Sequence, residues 1–156
     1  MSGFFKTKED QRRFREESMI SHVHYQWKRN IKIAIPVIDE VIVPLLQSKK
    51  LWSNRIPQMI AGYFYDLYTC LKNLTNNIND GAILGLVVGN PTYAGVVVAT
   101  DMILADIATT LGYTCLGIQI YRRVVPSSQQ TKLIEPEDQK YVRESLVVLQ
   151  WKKNRF

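Results

Sequence analysis

The sequence predicts an α/β fold organised around the stretch from Gly81 to Gly112. Residues 82–88 form an almost uninterrupted apolar run between turn residues, which is typical of a central parallel strand covered on both faces. Apolar residues recur at helical spacing before and after this run, over residues 54–78 and 100–111. The complete order is helix, strand, helix, strand, strand. This order predicts the second half of a doubly wound sheet with an antiparallel final strand pair.

Length and composition favour one domain, or part of one, in a soluble chain. The 156 residues are 46% hydrophobic, enough for a core. No apolar run approaches the ~20 residues that a bilayer requires, and the charged residues 6–17 do not resemble a signal peptide. Two cysteines, Cys70 and Cys115, lie in apolar surroundings, which predicts buried free thiols. We therefore expect a cytoplasmic protein without a membrane segment.

The charge is basic and unevenly distributed. Lys and Arg number 20 against 14 Asp and Glu, a net charge of +6. Such an excess fits a polyanionic partner, of which nucleic acid is the usual one. The alternative is that these residues form ordinary solvated faces. They gather in three groups: residues 12–50, Arg122 to Arg143, and the tail from Lys152.

The amino-terminal third predicts a helical segment over residues 1–53, ahead of an α/β unit over residues 54–156. Residues 5–29 have the interleaved charges of a solvent-facing helix. A short extended piece and a helix over 37–47 follow, with Pro36 and Pro44 preventing a longer helix. His22 and His24 point in different directions on a helix and have no further ligands nearby, so we predict no metal site.

The boundaries of the later elements follow from their turn and cap residues. Pro57 suits the first turn of the helix over 54–78. Thr100 predicts the cap of the next helix and Gly112 its end. Strands are predicted over 114–125 and 141–151, separated by a polar loop over 126–140.

One tetrapeptide, Asn90-Pro91-Thr92-Tyr93, follows the apolar strand directly. It is similar to the Asn-Pro-Pro-Tyr box of amino methyltransferases, in which an amide, a rigid proline and an aromatic ring hold the amino group of an extruded base. The third residue here is Thr, which departs from that box. The alternative is a simple turn at the end of a strand.

Four separated pieces of the chain resemble the carboxy-terminal half of site-specific DNA amino methyltransferases, of the cytosine-N4 and adenine-N6 kinds. The resemblance covers residues 56–151, and its pieces are PQMIAGYFYDLYTCLKNL, GAILGLVVGNPTYAGVVVATDMILADIATTLGY, RRVVPSSQQ and YVRESLVVLQW. It implies a partial Rossmann-like methyltransferase fold. In that family the helix with Gly62-Tyr63-Phe64 follows the strand that carries the catalytic box, so Asn90 to Tyr93 is expected one strand away from it.

The resemblance also implies an incomplete enzyme. No Pro-Pro-Tyr box precedes Ile56, and no glycine loop for S-adenosylmethionine follows a strand. We therefore assign no catalytic residue, and we expect S-adenosylmethionine only in a completed enzyme. The chain is expected to be a subunit of a split methyltransferase, a truncated product or a repurposed fragment that binds nucleic acid. A partner subunit would supply the cofactor and catalytic motifs.

Two groups of residues are the candidate site. Asn90, Tyr93 and Gly95 are predicted to line a cleft at the carboxyl end of the strand, where Gly95 permits close backbone approach. Contacts to DNA are predicted for the polar loop and the basic residues that flank it: Ser127, Ser128, Gln129, Gln130, Arg122, Arg123 and Lys132. Asp101 is expected to interact favourably with the dipole at the start of its helix. Arg143 and Glu144 are expected to form an intramolecular ion pair at the start of the last strand.

A sheet cut between strands would expose an apolar edge along Leu84, Leu86 and Val88. The amino-terminal segment, a partner or a second copy could cover it, and we favour the last two. The predicted function is a portion or subunit of a DNA methyltransferase that is inactive alone. The alternative is a non-catalytic nucleic-acid-binding or assembly protein on the same half-fold.

Overall fold

The computed structural model describes residues 7–21, 23, 33–126 and 128–153, with the backbone alone at Ser128 and Gln129. Its mixture of helices and strands confirms the predicted α/β class. The elements are α1 (Lys8–Glu17), a π-helical segment (Val37–Ile42), α2 (Val43–Gln47), α3 (Ile56–Leu74), β1 (Ile83–Gly89), β2 (Thr92–Tyr93), β3 (Val96–Val97), α4 (Thr100–Thr110), β4 (Tyr113–Arg123), α5 (Ser128–Thr131), a 3-10 turn (Gln139–Tyr141) and β5 (Arg143–Trp151).

The main sheet has three strands in the order β1-β5-β4, and both pairings are antiparallel. Val147 of β5 faces Leu86 on one side and Ile118 on the other. The predicted antiparallel pairing of the last two strands is therefore confirmed. The last strand also inserts beside β1, so that β1 and β4 run in the same direction without touching.

The prediction of a central parallel strand over residues 82–88 is wrong. Among the residues that the structure describes, β1 lies at the edge of the sheet, has one antiparallel neighbour and is covered on one face. The exposed edge side chains also differ from those predicted. Leu84 and Leu86 are half-buried and Val88 is buried, because all three face the helices, whereas Ile83 and Val87 are 57% and 69% exposed.

Helices α3 and α4 cover one face of the sheet and build the core with it. The side chains of Phe64, Leu104, Val147 and Leu149 are fully buried there. The Tyr113 hydroxyl at the start of β4 donates to the Leu71 carbonyl oxygen of α3 at 2.9 Å. This hydrogen bond joins the helix layer to the far strand of the sheet.

The amino-terminal segment packs on α3 and contributes to the same core. The backbone N–H of Ile20 donates to the buried Asp66 carboxylate of α3 at 2.8 Å. Ile38 and Leu46 are fully buried in the core cluster. Helix α1 ends at Glu17, so the helix predicted over residues 5–29 is too long, although residues 24–29 lie outside the described part.

Helix α4 ends as predicted but begins differently. Gly112 adopts a φ of 94°, which only glycine tolerates easily, and so ends the helix. The N-cap is Ala99 rather than Thr100, because the Thr100 hydroxyl is buried and donates to the Val98 carbonyl oxygen at 3.3 Å. The segment after Asn90 contains the short β2–β3 hairpin.

The two cysteines are free, as predicted, but the predicted burial is wrong for Cys70, which is exposed on α3, while Cys115 is half-buried. Within the described residues no helix has both the length and the apolar character needed to cross a bilayer. The same part of the chain has no group of three or more His, Cys, Asp or Glu side chains arranged for a metal ion. His22 and His24 lie outside the described residues.

The adjacent residues Leu45 and Leu46 test whether the amino-terminal segment folds as one unit with the sheet. Leu46 is fully buried and Leu45 is 40% exposed. Leu46→Ala is expected to lower the free energy of unfolding by about 2–5 kcal/mol, since it empties part of the shared core. Leu45→Ala is expected to cost less than about 1 kcal/mol. Urea unfolding followed by circular dichroism measures both; two equally small effects would contradict a shared core.

Candidate functional site

The carboxyl ends of β1 and β4 meet the beginning of β5 at one end of the sheet. The Asn90 N–H donates to the Arg143 carbonyl oxygen, and the Val124 N–H donates to the Val142 carbonyl oxygen, each at 3.0 Å. We call this region the site end; it comprises residues 89–98, 122–126, 128–133 and 141–145. The predicted cleft residues and the predicted DNA-contacting arginines all lie within it.

A buried carboxylate, Asp101, joins three elements of the site end. The side chain is 0% exposed at the start of α4. One carboxylate oxygen accepts hydrogen bonds from the Asn90 amide and the Met102 N–H, both at 2.9 Å. The other oxygen accepts from the Ser145 hydroxyl at 2.8 Å and from Arg143 Nε at 2.9 Å. The carboxylate thus holds the ends of β1 and β5 against the first turn of α4.

The Asn90 side chain is buried and makes its hydrogen bonds within the protein. Its amide nitrogen donates to Asp101 and to the Tyr141 carbonyl oxygen, both at 2.9 Å, and its Oδ1 accepts the Asp101 N–H at 3.1 Å. Asn90 is 6% exposed. It therefore fixes the turn after β1, and its assignment as a cleft-lining residue stays a prediction.

The surroundings of Asp101 favour its ionised form. Burial by itself would raise the pKa of the carboxyl group, but hydrogen bonds from Asn90, Ser145 and Arg143, together with the Arg143 charge, bring the pKa below its usual value. Arg143 is mostly buried, with 13% of its side chain exposed. The guanidinium also lies over the Tyr141 ring, 5.5 Å from the centroid. Asp101 and Arg143 therefore form a mostly buried ion pair, in which the carboxylate accepts four hydrogen bonds.

The β2–β3 hairpin packs against the segment after α5. At its tip, Ala94 and Gly95 have positive φ angles of 47° and 85°. A Cβ atom on Gly95 would lie 2.2 Å from the Leu133 carbonyl oxygen, so glycine is required there by contact as well as by backbone conformation. The Gly95 N–H also donates to Gln130 Oε1 at 3.5 Å. The close approach predicted at Gly95 is thus made to the chain itself.

Tyr93 is half-buried in the same hairpin. Burial raises the pKa of its phenol, so the hydroxyl stays neutral at physiological pH. The neighbouring Thr92 hydroxyl is buried and has no hydrogen-bond partner among the described residues. The hairpin therefore presents neutral groups at the end of β1.

The residues predicted to contact DNA have different surroundings. Arg122 makes two hydrogen bonds to Glu144, at 2.7 and 2.9 Å. This pairing raises the pKa of Arg122 and lowers that of Glu144. Arg123 and Lys132 are exposed and form no ion pair with any described residue. Ser127 lies outside the described part of the chain, and Ser128 and Gln129 contribute backbone to α5.

Arg143 and Glu144 both form intramolecular ion pairs, but with residues from other elements, Asp101 and Arg122. The sequence analysis missed the role of Asp101 and Ser145. The sequence contained a signal for Ser145. At every second position of the predicted strand, Ser145, Val147 and Leu149 fall on the same face, which is the buried face. A hydroxyl on an otherwise apolar strand face indicates a buried polar partner.

Comparison with known proteins adds a family relationship. Curated relatives include the type II methyltransferases M.AvaI of Nostoc sp. and of Anabaena variabilis, each 38% identical to this chain over 68 residues. The chain is related to DNA methyltransferases. This finding confirms the resemblance seen in the sequence. The match covers 44% of the chain but 14% of each M.AvaI protein, so the chain spans a small part of their length. No family model matches, and no solved structure matches.

Asp101→Asn tests the buried ion pair. Removing the charge leaves Arg143 mostly buried without its counterion, and we expect the free energy of unfolding at neutral pH to fall by about 3 kcal/mol. Because the folded-state pKa of Asp101 is lowered, its contribution is complete above the ordinary carboxyl pKa and is lost as the pH falls through the folded-state value. The difference between wild type and variant should therefore shrink in acid.

The exposed pair at the same end of the sheet supplies the control. Glu144→Gln breaks its contact with Arg122, which is 62% exposed, and should leave the free energy of unfolding close to that of the wild type. Urea titrations at several pH values measure all three proteins. Equal stability of Asp101→Asn and wild type at neutral pH would show that the buried pair is not stabilising.

Proposed function

We propose that this chain forms one part of an S-adenosylmethionine-dependent DNA methyltransferase that methylates the exocyclic amino group of cytosine or adenine. The relationship to M.AvaI carries this proposal. The chain would correspond to the carboxy-terminal half of a Rossmann-like methyltransferase domain. A complementing polypeptide would supply the cofactor site and the catalytic box, and the chain alone would be inactive.

The geometry of the site end supports a wall of such a site. Ligands of open α/β sheets bind beyond the carboxyl ends of strands, and here the carboxyl ends of β1 and β4 lie at the same end of the sheet, on either side of β5. The buried Asp101 network ties the turn after β1 to α4 and to the beginning of β5. We propose that Asn90 positions this turn, while Tyr93 and Gly95 shape the hairpin that faces the extruded base.

The surface charges support contact with the DNA backbone. Arg123 and Lys132 are exposed, and neither is paired with a described residue. Both suit phosphate oxygens. Arg122 would have to exchange its Glu144 partner for a phosphate, so its contribution is expected to be smaller. Gln130 already bonds the hairpin and would link the DNA-binding loop to it.

Bound by the completed enzyme, S-adenosylmethionine would supply the methyl group. We assign none of the residues of this chain to the cofactor. The contribution of the chain is to orient the extruded base, to exclude water at the site end and to hold the flanking DNA. These are positioning roles, which contribute much of the rate enhancement when two bound groups must be aligned.

Methyl transfer to DNA tests the proposal. The full chain is mixed with the Nostoc M.AvaI protein from which the segment aligned to this chain has been deleted, together with DNA and S-adenosylmethionine labelled in the methyl group. We expect label in DNA only when both polypeptides are present. Mass spectrometry of the nucleosides should then identify N4-methylcytosine or N6-methyladenine.

Two further outcomes distinguish the alternatives. Arg123→Gln with Lys132→Gln should weaken DNA binding and reduce its salt dependence, since each lost phosphate contact removes about one released counterion. Salt-dependent DNA binding without methyl transfer in the mixture would favour the non-catalytic nucleic-acid-binding protein. The absence of both DNA binding and methyl transfer would overturn both functions.

A further inference from the structure

We propose that β1 is a docking edge, to which a β-strand of the complementing methyltransferase polypeptide adds, and that this polypeptide also covers the face of the sheet opposite α3 and α4. The proposal rests on the proposed function for the identity of the partner. It concerns a surface distinct from the site end: residues 83–89 of β1 together with the face opposite α3 and α4.

The backbone of β1 has N–H and C=O groups on its outer side that could pair with a second strand. Hydrogen bonds from the Asn90 N–H to Arg143 and from the Trp151 N–H to Ala82 mark the pairs that bond across β1 and β5. Because these pairs alternate along antiparallel strands, the N–H and C=O groups of the intervening residues point away from β5. The outward groups belong to Ile83, Gly85, Val87 and Gly89.

The two edges of the sheet differ in how they are protected. Edge strands of stable monomers usually carry charges, proline or β-bulges that discourage pairing. The outer strand β4 carries Arg122 and Arg123 and has two register shifts along its pairing with β5. In contrast, β1 has the sequence ILGLVVG, without charge or proline, and its register is regular from Ile83 to Gly89.

The face of the sheet beside this edge also carries exposed apolar side chains among the described residues. Ile83 and Val87 point to the side opposite α4, and they are 57% and 69% exposed. Their pairing partners on the same face include Leu146, which is half-buried, and Leu116 of β4 is 53% exposed. An apolar edge and an apolar face that adjoin each other match a partner that continues the sheet and covers it.

The relatives supply the argument for the occupant. This chain aligns with 14% of the M.AvaI sequence, so a methyltransferase of that length has most of its residues outside the aligned segment. In the proposed function those residues belong to the complementing polypeptide, and they are the source of the strand that we propose for β1.

Substitutions at Val87 test the docking edge, with the truncated Nostoc protein as the probe. Val87→Pro removes an outward N–H without breaking the pairing to β5, and should weaken the complex about 10-fold or more. Val87→Lys places a charge in the interface and should weaken it about 100-fold. Two control variants should bind like the wild type. Val87→Thr keeps the N–H group and the shape of the side chain. Ile120→Lys changes a residue of the opposite edge strand, where Ile120 is 51% exposed.

Sedimentation equilibrium measures complex formation, and urea unfolding verifies that each variant is folded. Binding that is unaffected by both Val87→Pro and Val87→Lys, or no complex between folded proteins, would overturn the docking edge. A dimer of this chain that is lost in Val87→Lys, with no binding to the truncated protein, would overturn the proposed occupant. A complex through β1 that transfers no methyl group would leave the docking edge intact and count against the proposed function. Methyl transfer that Val87→Lys does not reduce would support the proposed function and overturn the docking edge.

Discussion

The pairing of β5 with both of its neighbours is the interaction on which the rest of the structure depends. The last described strand, β5, lies between β1 and β4. Within the described residues, β5 is the strand that joins β1 and β4 into one sheet. The insertion also brings Arg143 and Ser145 to the Asp101 carboxylate. A single placement of β5 thus completes the sheet and closes the buried network that organises the site end.

This placement gives the carboxyl end of β1 and its outer edge different surroundings. At its carboxyl end, hydrogen bonds from Asn90 and Arg143 fix the turn and the hairpin that follows. Along its length, one side is bonded to β5 and the other side has no described partner. The hydrogen-bonded end suits a site, and the edge without a described partner suits assembly. Both properties fit a chain that is related to a methyltransferase and aligns with a small part of it.

Local signals predicted the elements well, and non-local pairings were the main source of error. The helical spacing of residues 54–78 predicted α3, and Gly112 predicted the end of α4. An apolar run such as residues 82–88 has the same composition whether it lies inside a sheet or awaits a partner, so its edge position could not be read from it. The ion pairs of Arg143 and Glu144 depend on residues 42 and 22 positions away along the chain, respectively, which no local pattern encodes.

The sequence predicted where Asn90, Tyr93 and Gly95 lie in the fold better than it predicted what they contact. Ligands of open α/β sheets bind at the carboxyl ends of strands, and Asn90, Tyr93 and Gly95 follow the carboxyl end of β1. The predicted roles assumed that these groups face a ligand. In the structure Asn90 bonds Asp101, and Gly95 lies against Leu133. Packing against distant segments decides such contacts, because a buried amide must satisfy its hydrogen bonds wherever partners are nearest.

Amide hydrogen exchange along β1 in the isolated chain tests the open edge most directly. Resolved by nuclear magnetic resonance, the N–H groups of Leu84, Leu86 and Val88, which bond to β5, should exchange at least about 100-fold more slowly than those of Ile83, Gly85 and Val87. This alternation follows from one bonded side and one open side. Equal protection of all these amides at low protein concentration would contradict it, because another segment of the chain would then have to pair with the outer side of β1.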